Sequence, residues 1–208
     1  MAIFGSWSVV SFLRFSAQFL WAVLLVTLII QVAMIALFLF SGGEVGIFLP
    51  VYITIEGLHE TIRESVGNHQ SVLSVSGGIR AMFTPLQAPY LQGALLGLFQ
   101  AGLHALALYG ATLLKRVLNE MHRLQHVSIA SGLEMRKVGF LLVAAAPLKF
   151  LFELGNAYFF NLQASSEAIS GIVPPFDFSL LFAGLIALVI AEILHQAARM
   201  YHELKLTV

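Results

Sequence analysis

Residues 138–162 read VGFLLVAAAPLKFLFELGNAYFFNL, an apolar run long enough to form one membrane helix. Near its middle the run carries Lys149, Glu153 and Asn156. An ionisable side chain in hydrocarbon costs about 2.5–3.5 kcal/mol on insertion scales, so such residues persist where they meet partners or line a cavity. This stretch therefore predicts a membrane-spanning helix whose polar residues form a structural contact or a functional site.

The composition of the whole chain is that of a membrane protein. Of its 208 residues, 59% are apolar and only 11% are charged, whereas soluble domains are about 25% charged. The formal net charge is zero, which argues against direct binding of nucleic acid. Cysteine is absent, so thiolate metal sites and disulfides are excluded.

Three further apolar runs accompany the first one. We predict membrane spans at about 17–40, 91–114, 138–162 and 178–198. Proline and Asp177 immediately before the last run predict the start of its helix. The predicted fold class is an all-α membrane protein, a bundle of four transmembrane helices.

The segment 41–90 between the first two spans carries charges and turn residues throughout, so we predict that it lies outside the bilayer. At 49–55 apolar residues alternate with other types, which is the period of a half-buried strand. A second strand is predicted at 71–76, and the charges at 56–64 recur at helical spacing. Together these features predict a small extracytoplasmic α+β cap.

Lysine and arginine are unevenly distributed between the two sides of the predicted bundle. The loop 115–137 is basic, and the positive-inside rule places it in the cytoplasm together with both termini. Apolar residues keep the helical period through its first part, which predicts that the second helix extends inward and breaks near 128–132. On that side the cations number eight: Arg14, Lys115, Arg116, Arg123, Arg136, Lys137, Arg199 and Lys205. On the other side there are two, Arg63 and Arg80. Six of the cytoplasmic cations are predicted to contact a partner or lipid headgroups: Lys115, Arg116, Arg123, Arg136, Lys137 and Arg199.

The direction of helical side chains predicts partners for Lys149. Side chains lean toward the N-terminus of their own helix, so Glu153 leans onto Lys149, and Glu192 on the antiparallel fourth span leans toward the same depth. We therefore predict that Lys149 lies near the bilayer midpoint between Glu153 and Glu192. The full predicted intramembrane polar cluster is Lys149, Glu153, Glu192, His104, Gln100 and Asn156.

Two roles for this cluster stay open. It is either a structural ion pair that fixes helix register, or a pathway for protons, ions or a small molecule. A haem or quinone binder that uses His104 is a further alternative to a hydrogen-bonded structural histidine. No cofactor is predicted. No metal is predicted either, because the His122–His126 pair lacks a third ligand and the acids and histidines of 56–69 lack an established ligand spacing.

The C-terminal part of the chain resembles a known family. The run from Pro175 to Arg199 carries Glu192, and the tail that begins at Glu203 ends in Leu-Thr-Val. This pattern resembles the bacterial domain-of-unknown-function family two-nine-seven-five, whose members are small four-span membrane proteins. The resemblance implies a helix-turn-helix regulator as a cytoplasmic partner, and Glu192 and Arg199 match family positions.

No pattern in the sequence places a nucleophile beside a base, so we predict a non-enzymatic membrane protein, a sensor or an interaction scaffold. Its predicted partners are the lipid bilayer and a cytoplasmic protein. Four helices form a narrow bundle, so a transport pathway would require a homo-oligomer.

Overall fold

The protein is described by a computed structural model that covers residues 9–41, 49–55, 79–83, 90–124, 128–163, 169–172 and 176–206. Four long helices dominate these residues: α1 (Val9–Phe40), α2 (Tyr90–Leu124), α3 (Ile129–Gln163) and α4 (Phe178–Leu206). All four are long and apolar enough to cross a membrane, which confirms the four predicted spans. The chain is therefore a helical membrane protein.

The helices are longer than the predicted spans. They contain 29 to 35 residues, or about 44–52 Å at 1.5 Å per residue, whereas the hydrocarbon core of a bilayer is about 30 Å thick. The extra length lies partly in the segment 115–137. There α2 continues to Leu124, as the helical period of its apolar residues predicts, and α3 begins at Ile129. The basic residues of this segment therefore lie almost entirely on helices.

Polar contacts stabilise the turn between α2 and α3. The hydroxyl of Ser128 accepts a hydrogen bond from the backbone N–H of Ser131 at 3.0 Å and so caps the start of α3. Both carboxylate oxygens of Glu120 accept hydrogen bonds, from the hydroxyl of Ser128 at 2.7 Å and from that of Ser131 at 3.0 Å. A carboxylate near a helix N-terminus also interacts favourably with the helix dipole.

A small antiparallel sheet joins two distant parts of the chain. Its strands are β1 (Leu49–Ile55), β2 (Ile79–Phe83) and β3 (Ile169–Ile172), and β1 lies in the centre. The strand predicted at 49–55 is confirmed, while the predicted second strand at 71–76 and the helix at 56–64 lie outside the described residues. The sequence analysis missed β3, which pairs with β1 from the connection between α3 and α4.

The chain divides into two compact units. Unit 1 comprises Met1–Val32, Ala101–Lys149 and Phe176–Val208, and it contains parts of all four helices. Unit 2 comprises Ala33–Gln100 and Phe150–Pro175 and contains the sheet. The buried core of unit 2 brings together Phe38, Leu49, Ala94 and Phe159.

Within unit 1, α3 and α4 pack through small residues. Where a Cβ on Gly184 would stand, the backbone N of Val143 is 2.8 Å away and the carbonyl O of Gly139 is 3.0 Å away, so the two backbones nearly touch. Such close approach is typical of packing between membrane helices. Buried glycine or alanine recurs every seven residues on both helices, at Gly132, Gly139 and Ala146 and at Gly184, Ala191 and Ala198.

Candidate functional site

Lys149 on α3 binds Asp177, the residue immediately before α4. Its ammonium donates a hydrogen bond to Oδ2 of Asp177 at 2.5 Å. The other carboxylate oxygen of Asp177 accepts from the hydroxyl of Ser179 at 2.8 Å and from the backbone N–H of Leu180 at 3.3 Å, so Asp177 is the N-cap of α4. The predicted helix start is thus confirmed, and one carboxylate both caps α4 and ties it to α3.

The pKa of Asp177 is lowered from 3.8 to about 2, and the hydrogen bond from Lys149 is the largest cause. The hydrogen bonds from Ser179 and Leu180 lower it as well, and burial opposes them. Because the folded pKa lies below the unfolded one, the charged form of Asp177 stabilises the fold above the unfolded pKa. That contribution is lost as the pH falls from about 4 through about 2.

Replacing Asp177 by asparagine is therefore expected to have a pH-dependent effect. Asparagine retains the helix cap but removes the charge that binds Lys149. The melting temperature of D177N in detergent should lie furthest below that of the wild type at about pH 5 to 7, and the gap should shrink toward about pH 2. Thermal unfolding of both proteins, followed by tryptophan fluorescence, measures this gap. A gap that stays constant across this range would contradict the assigned ion pair.

Glu192 binds a different cation from the one we predicted. Its Oε2 lies 2.9 Å from Nη2 of Arg136, and its Oε1 accepts a hydrogen bond from Gln196 at 3.1 Å. The prediction that Lys149 lies beside Glu192 is therefore wrong. Arg136 and Lys149 are thirteen residues apart on α3, or about 20 Å, so their two partners on α4 are far apart as well.

The register of the antiparallel helices α3 and α4 explains this separation. Gly132 faces His195, Gly139 faces Leu188, and Val143 faces Gly184. Residue numbers thus fall on α4 as they rise on α3, and Lys149 comes to lie opposite the beginning of α4. The prediction assumed that α3 begins near residue 138, whereas it begins nine residues earlier at Ile129.

The two remaining α3 residues of the predicted polar cluster, Glu153 and Asn156, lie in unit 2. Asn156 is fully buried, and its amide donates a hydrogen bond to the backbone carbonyl of Pro50 in β1 at 2.9 Å. Its own side-chain oxygen has no hydrogen-bond partner among the described residues. Glu153, one turn earlier, is 7% exposed. Asn156 therefore fastens the beginning of β1 to α3.

The other two residues of the predicted cluster are on α2. Gln100 and His104 are both half-buried. Of the six residues, Glu153, Asn156 and Gln100 belong to unit 2, whereas Lys149, Glu192 and His104 belong to unit 1. Within unit 1, Lys149 and Glu192 have separate partners, as described above.

A tryptophan that the sequence analysis missed ties α1 to α2. The ammonium of Lys115 lies 4.3 Å from the centroid of the Trp21 ring, close enough for a cation–π interaction. The indole N–H of Trp21 donates a hydrogen bond to the hydroxyl of Thr112 at 3.1 Å. Tryptophan is enriched at membrane interfaces, and this preference could have singled out Trp21 as an interfacial residue in the sequence.

These contacts place several charged groups at one height along unit 1. Glu120 on α2 accepts a hydrogen bond from Ser131 on α3, so these two residues lie at the same height. Lys115 lies five residues before Glu120, and Arg136 lies five residues after Ser131. Because α2 and α3 are antiparallel, Lys115 and Arg136 also lie at the same height. Arg136 binds Glu192, and Lys115 lies over Trp21. We call this height the charged level; it is defined by Trp21, Lys115, Arg136 and Glu192.

All four helices continue on the far side of the charged level. We call this part of unit 1 the basic end; it comprises residues 9–20, 116–124, 129–135 and 193–206. Its buried residues include Val10, Ala17, Val117, Leu118, Ser131, Gly132 and Ala198. Exposed cations are Arg116, Arg123 and Arg199 on the basic end, with Lys137 next to the charged level.

Metal binding finds no support in the described part of the chain. No three histidine or acidic side chains there form a group that could hold a metal ion. His126 and the acids and histidines of 56–69 lie outside the described residues.

Comparison with known proteins does not extend the functional assignment. No family model, curated protein or solved structure matches this chain. The resemblance noted from the C-terminal run thus stays a prediction, and the function has to be argued from the site itself.

Proposed function

We propose that this protein is a non-enzymatic membrane scaffold or sensor that binds a cytoplasmic protein through its basic end. Both termini face the cytoplasm in this proposal, and the sheet with the segment 41–90 forms a small extracytoplasmic α+β cap. The supporting observation is that all four helices extend beyond the charged level as a packed bundle that carries exposed cations. Such a surface attracts acidic groups on a partner.

The charges of the described helices support a scaffold rather than a reaction centre. Lys149 binds the cap of α4, Arg136 binds Glu192, and Glu120 binds the turn between α2 and α3. The first two contacts join α3 to α4 or to its N-cap, and the third joins α2 to the turn before α3. A stimulus received by the cap would reach the basic end through α2 and α3, which contribute residues to both units.

Charge reversal tests the proposed partner site. The protein is expressed in its native host, and proteins bound to it are recovered in mild detergent. We expect the triple variant R116E/R123E/R199E to lose a cytoplasmic protein that the wild type retains. The control Q92E adds a negative charge at an exposed position of α2 outside the basic end and should retain that protein. Equal recovery with the triple variant would contradict the proposal.

Cysteine labelling tests the orientation without background, because the chain has no cysteine of its own. Ser16→Cys lies at an exposed position of the basic end. Ser71→Cys lies in the segment 41–90, which the proposal places outside the cytoplasm. In intact cells a membrane-impermeant maleimide should label Ser71→Cys and leave Ser16→Cys unlabelled. The reverse pattern would overturn the proposed topology.

A carrier of protons or cations is the second candidate. Glu153 and Asn156 favour it, since both are buried on one face of α3 and the side-chain oxygen of Asn156 has no hydrogen-bond partner among the described residues. Flux in proteoliposomes that persists in E153Q would remove this candidate.

A further inference from the structure

One side-chain oxygen of Asn156 on α3 is left unsatisfied by the fold. The residue is fully buried, and its Nδ2 donates a hydrogen bond to the carbonyl O of Pro50 at 2.9 Å. Turning the amide over would place Oδ1 against that carbonyl, so the bond fixes the positions of both amide atoms. Oδ1 has no hydrogen-bond partner among the described residues. A buried acceptor without a partner is costly, so a donor or a cation is expected at this atom.

A buried carboxylate lies on the same side of α3. Glu153 precedes Asn156 by three residues, a spacing that brings the Cβ atoms of two helical residues to within about 5–6 Å. Glu153 itself is buried, and so are the following residues Ala157 and Phe159. Carboxylate and amide oxygens are ligands that hard cations prefer. The packed surroundings favour a small ion over a large one.

A third oxygen-bearing side chain lies at nearly this height on α2. The register of α2 against α3 is set by the stacked rings of Phe99 and Phe152 and by the approach of Leu96 to Gly155. In that register Gln100 is level with residue 151, so it lies within about 3 Å of Glu153 along the helix axis. Gln100 is half-buried and belongs to unit 2, as Glu153 and Asn156 do.

The charge at this place selects a monovalent ion. Glu153 is the only acidic residue in the described part of unit 2. The only basic one there, Arg80, lies in β2 on the sheet face opposite Leu49. Lys149, the nearest cation along α3, binds Asp177. A monovalent ion balances one carboxylate, whereas a divalent ion would leave excess positive charge in a buried place.

We infer that unit 2 binds one sodium ion between α3 and β1, held by the carboxylate of Glu153 and Oδ1 of Asn156, with the amide oxygen of Gln100 as a third ligand. Because Asn156 also donates to Pro50, the bound ion stabilises the contact between β1 and α3. The sodium site does not depend on the proposed cytoplasmic partner. It gives the cation carrier, the second candidate function, a defined ion, but the ion can bind without crossing.

The cation dependence of thermal stability tests the site. The full-length protein in detergent is heated in NaCl, KCl or choline chloride at the same pH and ionic strength. A ligand that binds only the folded state raises the melting temperature. We expect a rise of about 3–5 °C in NaCl over choline chloride, and a smaller rise in KCl. Equal melting temperatures in the three salts would overturn the inference and would indicate water, or a proton on Glu153, beside Oδ1.

Replacing Glu153 by glutamine tests the carboxylate. Glutamine keeps the size of the side chain and removes its charge. The matched control E203Q makes the same change at an exposed position of the basic end. We expect E153Q to lose the sodium-dependent rise in melting temperature and E203Q to retain it. A rise that persists in E153Q would overturn the inference.

Hydrogen exchange locates the ion in the wild type, so this test does not depend on the folding of E153Q. The backbone amides of 51–55 in β1 should exchange at least about fivefold more slowly in NaCl than in choline chloride. Exchange at 193–206 in the basic end should be the same in both salts. Unchanged exchange in β1 would overturn the inference.

The sodium site and the carrier fail in different ways. If sodium raises the melting temperature of the wild type and proteoliposomes show no sodium flux, the site stands and the carrier is wrong. If sodium changes neither the melting temperature nor the flux, both are wrong. The recovery of a cytoplasmic protein by the wild type and by R116E/R123E/R199E tests the scaffold separately from both.

Discussion

Replacing Gly184 by isoleucine should destabilise the bundle by about 3 kcal/mol or prevent its assembly. A Cβ at this position would stand 2.8 Å from the backbone N of Val143 and 3.0 Å from the carbonyl O of Gly139. Backbone atoms cannot rotate away as a side chain can, so α3 and α4 would have to separate. Separation of the two helices would also break the ion pair between Lys149 on α3 and Asp177 at the start of α4.

The chain provides a matched control for this experiment. Gly102 lies within α2, where a Cβ would meet nothing within 4 Å. Gly102→Ala should leave stability unchanged or raise it by up to about 1 kcal/mol, since alanine is the better helix former. Thermal and denaturant unfolding in detergent compares G184I, G184A and G102A. If G184A proves as stable as G102A, the close packing of α3 and α4 is wrong.

Replacing Asn156 by alanine should cost about 2–3 kcal/mol and loosen the sheet. The substitution removes the donor for the Pro50 carbonyl and leaves a gap at a fully buried position. An unpaired buried carbonyl is costly, so β1 is expected to move away from α3.

Two measurements check the expected effect of N156A. The melting temperature should fall, and the backbone amides of β1 should exchange with deuterium faster than in the wild type. Gln92→Ala is the control, since it removes an exposed amide side chain of α2. Unchanged exchange at 51–55 in N156A would contradict the assigned anchor.

Hydropathy and local signals predicted part of this structure correctly. The four spans, the strand at 49–55 and the start of α4 after Asp177 all follow from apolar length, alternation and capping, which are properties of neighbouring residues. The partners of Lys149 and Glu192 depend instead on the register between two helices. That register is set by glycine and alanine contacts, which contribute no charge or periodic polarity to the sequence pattern.

The helices extend beyond the predicted spans for a related reason. Hydropathy measures where a helix leaves the hydrocarbon, and α2 and α3 remain helical beyond that point. There the basic end is stabilised by its own buried residues, such as Val117 and Ala198, and by the Glu120 contact. The strand β3 was missed because its four residues pair with a segment more than a hundred positions away.

The central place of β1 in the sheet has a consequence for biosynthesis. Ile169, the first residue of β3, follows Ile55 by 114 residues, so at about 5–20 residues per second it emerges roughly 6–23 s later. During that interval one edge of β1 carries N–H and C=O groups that are not paired with a strand, and such an edge is a template for aggregation. A ribosome that stalls before β3 leaves this edge open, and chaperones and proteases can then distinguish the unfinished chain from the completed one.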